Sequence, residues 1–540
     1  MPPARRWVLL ATLLPVLGLI GMVLADSVPD RLVMDQLVEA TRNGNLDAEP
    51  YGVGMLGGGT DEFSECKRIT IGLGDRPGTN PVESAVLSPT LGACPTAIPK
   101  IEGWAAGDGL DRSYDYYRYW NGSALVFRPG LVLFGVAGFR LLVGVGLVVT
   151  AALLANGVRR RVGGLGAGAL LVPIVATTDF IDLPLATFQA FGMIATLLSG
   201  WIVLRFTGSS TSMASSSMIS FALGAGFLYF ADLTTPPGAW AMVTFTTGLV
   251  SVSTTSPARL VTRMVGAALS WIAGFAWMWL SKWIIAGFVV GFDTVLDVVR
   301  SQADERLSGP IEGFSTDPLS VLERVWHQWY GQPLTTRYLI VAAVVVVAVA
   351  AARREPRAVW AKRLVIASPA GIPVIWFAVM RNHTIAHTAF VYRDLGVVAG
   401  IVSCAMVARL SMGTSGADRE DAATRQPSDA RRPARTGRNP TGTSEPTDIP
   451  TPMSDETVHE PEHADPKFVQ PVGDAGPESA APEQLEAYDL DEDGKISIVE
   501  NERARLGIVD ARLEELAEQD GITGPVADVA HQIVDRLDND

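Results

Sequence analysis

The sequence predicts an all-α, polytopic helical membrane protein that carries a small helical tail. Three observations predict it. About ten apolar runs, each near the length that crosses a hydrocarbon core, recur between residues 7 and 410. Arginine and lysine cluster in every second connection between those runs. From residue 413 the composition turns polar, acidic and poor in aromatics. The net charge of -14 on 540 residues therefore averages two unlike parts and points to no partner, nucleic acid included.

The runs lie near 7–25, 131–155, 164–179, 186–206, 215–232, 238–256, 264–282, 336–352, 364–380 and 396–410, giving a transmembrane domain over 1–410. Arg5 and Arg6 precede the first run, and Arg159, Arg160 and Arg161 follow the second. Arg205 ends the fourth, and Arg259 and Arg263 separate the sixth from the seventh. Arg353, Arg354, Arg357, Lys362 and Arg363 separate the eighth from the ninth. Basic connections stay in the cytoplasm, so both termini are expected there. Arginine outnumbers lysine, and Ala, Gly and Val abound, which points to a bacterial plasma membrane. The first run has a second reading: Arg-Arg, an apolar core and "VLA" before Asp26 also fit a cleaved signal peptide.

About 20 helical residues rise roughly 30 Å. Counted from each cytoplasmic cluster, the polar groups surface together on the far side: Asp26, then Asp179 and Asp182, Asp232, Lys282, and finally Arg381, His383 and His387. Ordinary interfacial residues would explain Asp26 and the aromatic flanks. Lys282 is different, because "IIAGFVVGFDTVLDVV" after it stays apolar, and a lysine there needs a partner. The stretch "RNHTIAHTAFVYRD" between two apolar runs concentrates ionisable groups at the same level. A shared extracytoplasmic pocket is the expectation.

Residues 26–130 form the largest extracytoplasmic loop. Asp61 and Glu62 follow a glycine run in "GMLGGGTDEFSEC", where an acidic pair could act as general base or metal ligand, or simply be solvated. Cys66 and Cys94 share this loop; outside the cell they would form a disulfide worth about 3 kcal/mol, the alternative being two unrelated thiols. "YDYYRYWNGSALVFRPG" reads either as an aromatic belt or as a stacking platform for a sugar.

The segments "YRYWNG…FRP", "LPLATFQ", "FADLTTP", "SWIAGFAWMWLSKW" and "NHTIAHTAFVYR" occur in that order. Together they resemble a largely uncharacterised family of bacterial polytopic membrane proteins, similar in layout to GT-C glycosyltransferases, which use lipid-phosphate-linked sugars. The resemblance covers 1–410. It implies an acceptor-activating carboxylate at Asp61, a supporting Asp232 acting with a divalent metal, and a donor-phosphate site of Lys282, His383, His387 and Arg393. "TDEFSECKRITIGLG" departs from the family pattern, being more polar and glycine-rich than a helix.

Residues 411–479 read as a disordered cytoplasmic linker, rich in Pro, Ser, Thr, Asp and Arg, whose arginines are either drawn to anionic membrane lipid or simply solvated. Residues 480–540 read as an EF-hand domain. In "DLDEDGKISIVE", Asp489, Asp491 and Asp493 supply oxygens at positions 1, 3 and 5, and Gly494 permits the turn. Lys495 offers its carbonyl, Ser497 sits at position 9 and Glu500 closes the Ca2+ site at 12. With no second good loop, either weak binding by a lone hand or pairing of hands between chains is expected. The competing functional readings are a transporter or lipid flippase, and a non-catalytic membrane-anchored calcium-binding protein.

Overall fold

The computed structural model describes residues 3–47, 51–53, 59–61, 63–74, 80–110, 114–208, 211–233, 235–252, 255–307, 315–353 and 355–409. The linker and the calcium loop, with Asp489, Asp491, Asp493, Lys495, Ser497 and Glu500, lie outside the described residues. Within them the protein is all-α, with only two short antiparallel strand pairs.

Helix α1 (Pro3–Asp26) is the first span. The segment between it and the second span is a folded cap rather than a loop. It comprises α2 (Asp30–Arg42), β1 (Tyr51–Val53) paired with β2 (Gly59–Asp61), α3 (Phe63–Ile69), α4 (Pro81–Leu87), β3 (Pro89–Thr90), α5 (Cys94–Ala106) and β4 (Tyr114–Asp115), which pairs with β3. The apolar stripe Val33, Met34, Leu37 and Ala40 has helical spacing and turns α2 inward. It joins a core with Cys66, Ile69, Leu91, Ala97, Ile98 and Ile101 of the cap and Phe127, Leu131 and Phe139 of α6 (Ala124–Val162). Asn80 caps α4 by accepting from the Glu83 amide at 2.9 Å. Cys66 and Cys94 are joined by a disulfide that ties α3 to the start of α5. Fully buried Arg128 staples the cap to α6, donating to the Val28 carbonyl and to Asp30 Oδ1, each at 2.5 Å. The polar "TDEFSECKRITIGLG" therefore does contain a helix, two residues after Asp61. Burial of Cys66 and Ile69 and the cross-link supply what propensity alone does not.

The remaining chain is a helical bundle. After α6, kinked at left-handed Gly135, come α7 (Gly164–Thr177), α8 (Thr187–Phe206), α9 (Met213–Ala231), α10 (Pro236–Ser251) and α11 (Pro257–Val290). Left-handed Gly291 separates α11 from α12 (Phe292–Leu307). Then come α13 (Pro318–Tyr330), α14 (Thr335–Ala352), α15 (Arg357–Ala367), α16 (Gly371–Val379), α17 (Arg381–Ala386), α18 (Thr388–Val391) and α19 (Arg393–Val407). Among the described residues seven helices are long and apolar enough to cross a membrane, or eight if α13 and α14, bent by 93°, form one broken span. The protein is thus a multi-pass membrane protein.

Within the described residues all ten apolar runs are helical, but three lie outside the seven spans: α14, which qualifies only when joined to α13, and two that are short. Helix α7 has 14 residues and α10 has 16. The first ends where Thr177 and Thr178 donate back to the carbonyls of Pro173 and Ile174, before Asp179 turns left-handed. The second starts on a Pro-Pro pair and is buried along nearly its whole length, a central helix rather than a lipid-facing one. Helices α9 and α11 meet backbone to backbone. A Cβ on Gly224 would stand 2.0 Å from the Trp271 carbonyl oxygen, and one on Gly274 would stand 1.9 Å from that of Phe221.

Candidate anion site beneath the cap

Arg68 projects from α3 into the space between cap and bundle. Its Nη1 donates to Asp232 Oδ2 at 2.5 Å and to Asn121 Oδ1 at 2.7 Å, and its guanidinium lies 3.8 Å from the Phe188 ring centroid. Asp232 follows the end of α9 at positive φ, as does Asn121 in the segment before α6. Asn and Asp tolerate that region better than other side chains, and here both are turned to meet one arginine. Burial raises the Asp232 pKa, opposed chiefly by Arg68.

Around Arg68 lies a cavity of about 240 Å³, lined by Lys67, Tyr116, Arg118, Tyr119, Phe188, Gln189, Leu233, Arg306, His383, His387 and Phe390. These residues come from α3, the segment after β4, α8, the end of α9, the end of α12, α17 and α18. No carboxylate is among the described lining side chains. Arg68 is answered by Asp232, so Lys67, Arg118 and Arg306 set the sign of the cavity. The histidines do not add to that charge. Burial, then Arg306, Lys67 and Arg118, push His387 down to about 3, and burial with His387 and Arg306 holds His383 well below its ordinary value. His383 Nε2 stands 3.2 Å from the Leu233 carbonyl oxygen, so this nitrogen carries the proton of the neutral ring. The phenol of Tyr116 is raised by burial but lowered more by Arg68, Arg118 and Lys67, and settles at about 8; its neighbour Tyr119 is pushed up to about 12.

A second cavity, of about 180 Å³, shares Arg118, Tyr119 and Arg306 with the first and is otherwise almost wholly apolar. Trp279 and Trp283 of α11, Val298, Val299 and Ala303 of α12, and Met380 line it. Both indole Nε1 groups donate to the Arg118 carbonyl oxygen, at 3.1 and 3.2 Å, and so fix the arginine at the boundary. Arg118 and Arg306 thus stand between a cationic cavity and a greasy one.

The structure distributes the sequence-predicted residues over several roles. His383 and His387 line the cavity, as neutral rings rather than cations. Asp232 stands behind Arg68. Lys282 lines neither chamber: its Nζ donates to the Val86 carbonyl oxygen at 2.6 Å and anchors the end of α4 to α11. Arg393 donates to the Thr178 carbonyl and to Gln189 Oε1, bracing the cavity wall from behind. Tyr392 beside it donates to Asp179. Asp61 ends β2, which packs against α18; its side chain and Glu62 lie outside the described residues.

Lys67, Arg68 and Arg306 escaped the sequence reading, and Tyr116 and Arg118 entered it only as part of an aromatic stretch. "ECKR" carried one signal, a basic pair beside a cysteine, and "YDYYRYW" carried another, an arginine inside an aromatic belt. Arg306 gave none. For a divalent metal the site is a poor fit: no group of three His, Cys, Asp or Glu converges among the described residues, and the lining is cationic. Compared with protein-family models, curated proteins and solved structures, the chain matches none.

Proposed function

We propose that this protein is a glycosyltransferase of a bacterial plasma membrane, similar in plan to the GT-C enzymes, which takes a sugar from a lipid-phosphate carrier at the extracytoplasmic face. One observation carries the reading. A cationic cavity adjoins an apolar one, the two sharing Arg118, Tyr119 and Arg306 in their walls, which matches a ligand whose phosphate joins a hydrocarbon chain. Guanidinium and ammonium groups suit phosphate oxygens as charge-assisted donors. Lys67, Arg118 and Arg306 take over the phosphate-binding role first expected of Lys282 and Arg393. Asp232 holds Arg68 in place, and Asp61, on the strand against α18, remains the candidate base for the acceptor hydroxyl.

Topology supports the same reading. A disulfide in the cap fits an oxidising compartment, and the basic clusters at the opposite ends of the helices fit the cytoplasm, where both termini would lie. The tail is proposed to bind Ca2+ through Asp489, Asp491, Asp493, Lys495, Ser497 and Glu500, with Glu500→Gln abolishing calorimetric binding by the full chain.

Purified protein given polyprenyl-phosphate-linked sugars tests the enzyme reading. Wild type should release free polyprenyl phosphate and Asp61→Asn should not, while still binding the donor. Movement of the carrier between leaflets without sugar release would make the protein a flippase instead.

A further inference from the structure

The phenol of Tyr116 has no role in the proposed sugar transfer, yet it sits where the positive charge is densest. Lys67 Nζ lies 5.5 Å from its ring centroid, Arg68 Cζ 5.1 Å and Arg118 Cζ 4.7 Å, and Arg118 also hydrogen-bonds its hydroxyl. The remaining charged and titratable neighbours among the described residues are Arg306 from α12, His383 and His387 from α17 and its end, Tyr114, Asp115 and Tyr119 on its own segment, and Asp232 behind Arg68. Asp232 already answers Arg68, and Asp115 is not among the residues that line the cavity.

We propose that Tyr116 couples anion occupancy of this cavity to uptake of one proton. The inference rests on the cationic cavity of the proposed function and adds to it how the site treats an incoming phosphate. Above about pH 8, with the cavity free of anions, the cation field favours the phenolate, which acts as an internal counter-ion. A tetrahedral oxyanion entering among Lys67, Arg118 and Arg306 replaces that charge. The phenolate oxygen then takes a proton from solvent, and the resulting hydroxyl donates a hydrogen bond to the bound anion. No other bond changes.

The sign follows from the direction of the shift. A phenol lowered to about 8 is neutral and ready for an anion below that pH, and competes with the anion above it. Apparent anion affinity should therefore fall as pH rises through about 8, by roughly tenfold between pH 7 and pH 9. Occupancy reverses the shift, because the anion cancels the field that lowered the phenol.

Inorganic sulfate is the probe, since it keeps its double charge across this range and carries neither lipid nor sugar. Titration calorimetry on the full-length protein in detergent, at pH 7 and 9 and in buffers of different ionisation enthalpy, gives both affinity and protons taken up. We expect the wild type to lose about tenfold in affinity and to take up close to one proton per sulfate at pH 9. Tyr116→Phe keeps the ring among the cations and removes only the hydroxyl; it should bind sulfate equally at both pH values with no proton uptake. A wild type indifferent to pH, or a Tyr116→Phe variant with the same loss as wild type, overturns the proposal. Absence of sulfate binding by a wild type that unfolds cooperatively overturns it too, along with the anion site itself. Sugar transfer measured without proton-linked sulfate binding would leave the enzyme reading standing and remove this inference alone.

Discussion

Lys282 shows how burial decides a residue's role. Its Nζ is buried against one carbonyl oxygen, so Lys282→Met should act on folding: leaving the Val86 carbonyl without its donor costs about 1–3 kcal/mol. We expect a lower Tm for Lys282→Met with sulfate affinity unchanged within twofold, read by thermal melts and calorimetry on the same sample. Glu65 makes a second case. It is buried with Thr187 Oγ1 on both carboxylate oxygens and Arg140 Nε at 3.8 Å, and burial raises it from 4.5 to about 7 despite those partners. A carboxyl raised in the folded state favours the folded protein when protonated, so its contribution is greatest below 4.5 and is lost as pH rises towards 7. Glu65→Gln should flatten the fall in Tm over pH 5–7; an unchanged slope would remove Glu65 as its source.

At the scale of elements, α3 carries most of what the sequence hid. Seven residues long, it is placed by a disulfide and by burial of Cys66 and Ile69, and it brings Glu65 to the bundle and Lys67 and Arg68 to the cavity. Replacing both cysteines by serine is expected to cost about 3 kcal/mol, and to weaken sulfate binding before the bundle unfolds. Retention of both wild-type Tm and wild-type affinity would show that α3 holds itself. The α9–α11 contact offers a cleaner packing test. Gly274→Val drives side-chain atoms into the Phe221 carbonyl, whereas Gly226 has nothing within 4 Å of an added Cβ. Gly274→Val should lower Tm by several degrees or prevent assembly, and Gly226→Val should not.

For the whole molecule, apolar runs and basic connections made the helical membrane architecture legible, because both signals are local and repeat along the chain. The common level of Asp232, His383 and His387 was legible too, by counting helix rise from the arginine clusters. The folded cap was not, since its core is assembled from Val33, Cys66, Leu91 and Phe127, far apart in sequence and, Cys66 apart, unremarked alone. For the same reason the cation trio stayed hidden: Lys67, Arg118 and Arg306 meet only when three distant segments pack. The sequence also left the charge of the histidines open, because periodicity reveals where a side chain lies but not how much water and charge surround it. The proposed function requires a chamber that holds phosphate at one end and hydrocarbon at the other. Equilibrium binding of polyprenyl phosphate and of the same chain as a free alcohol, to wild type and to an Arg118→Gln, Arg306→Gln double variant, tests it directly. Wild type should bind the phosphate at least tenfold more tightly than the alcohol, and the double variant should lose this preference while keeping its Tm. Equal binding of the two lipids by wild type, or a preference that survives in the double variant, would contradict a phosphate-binding chamber.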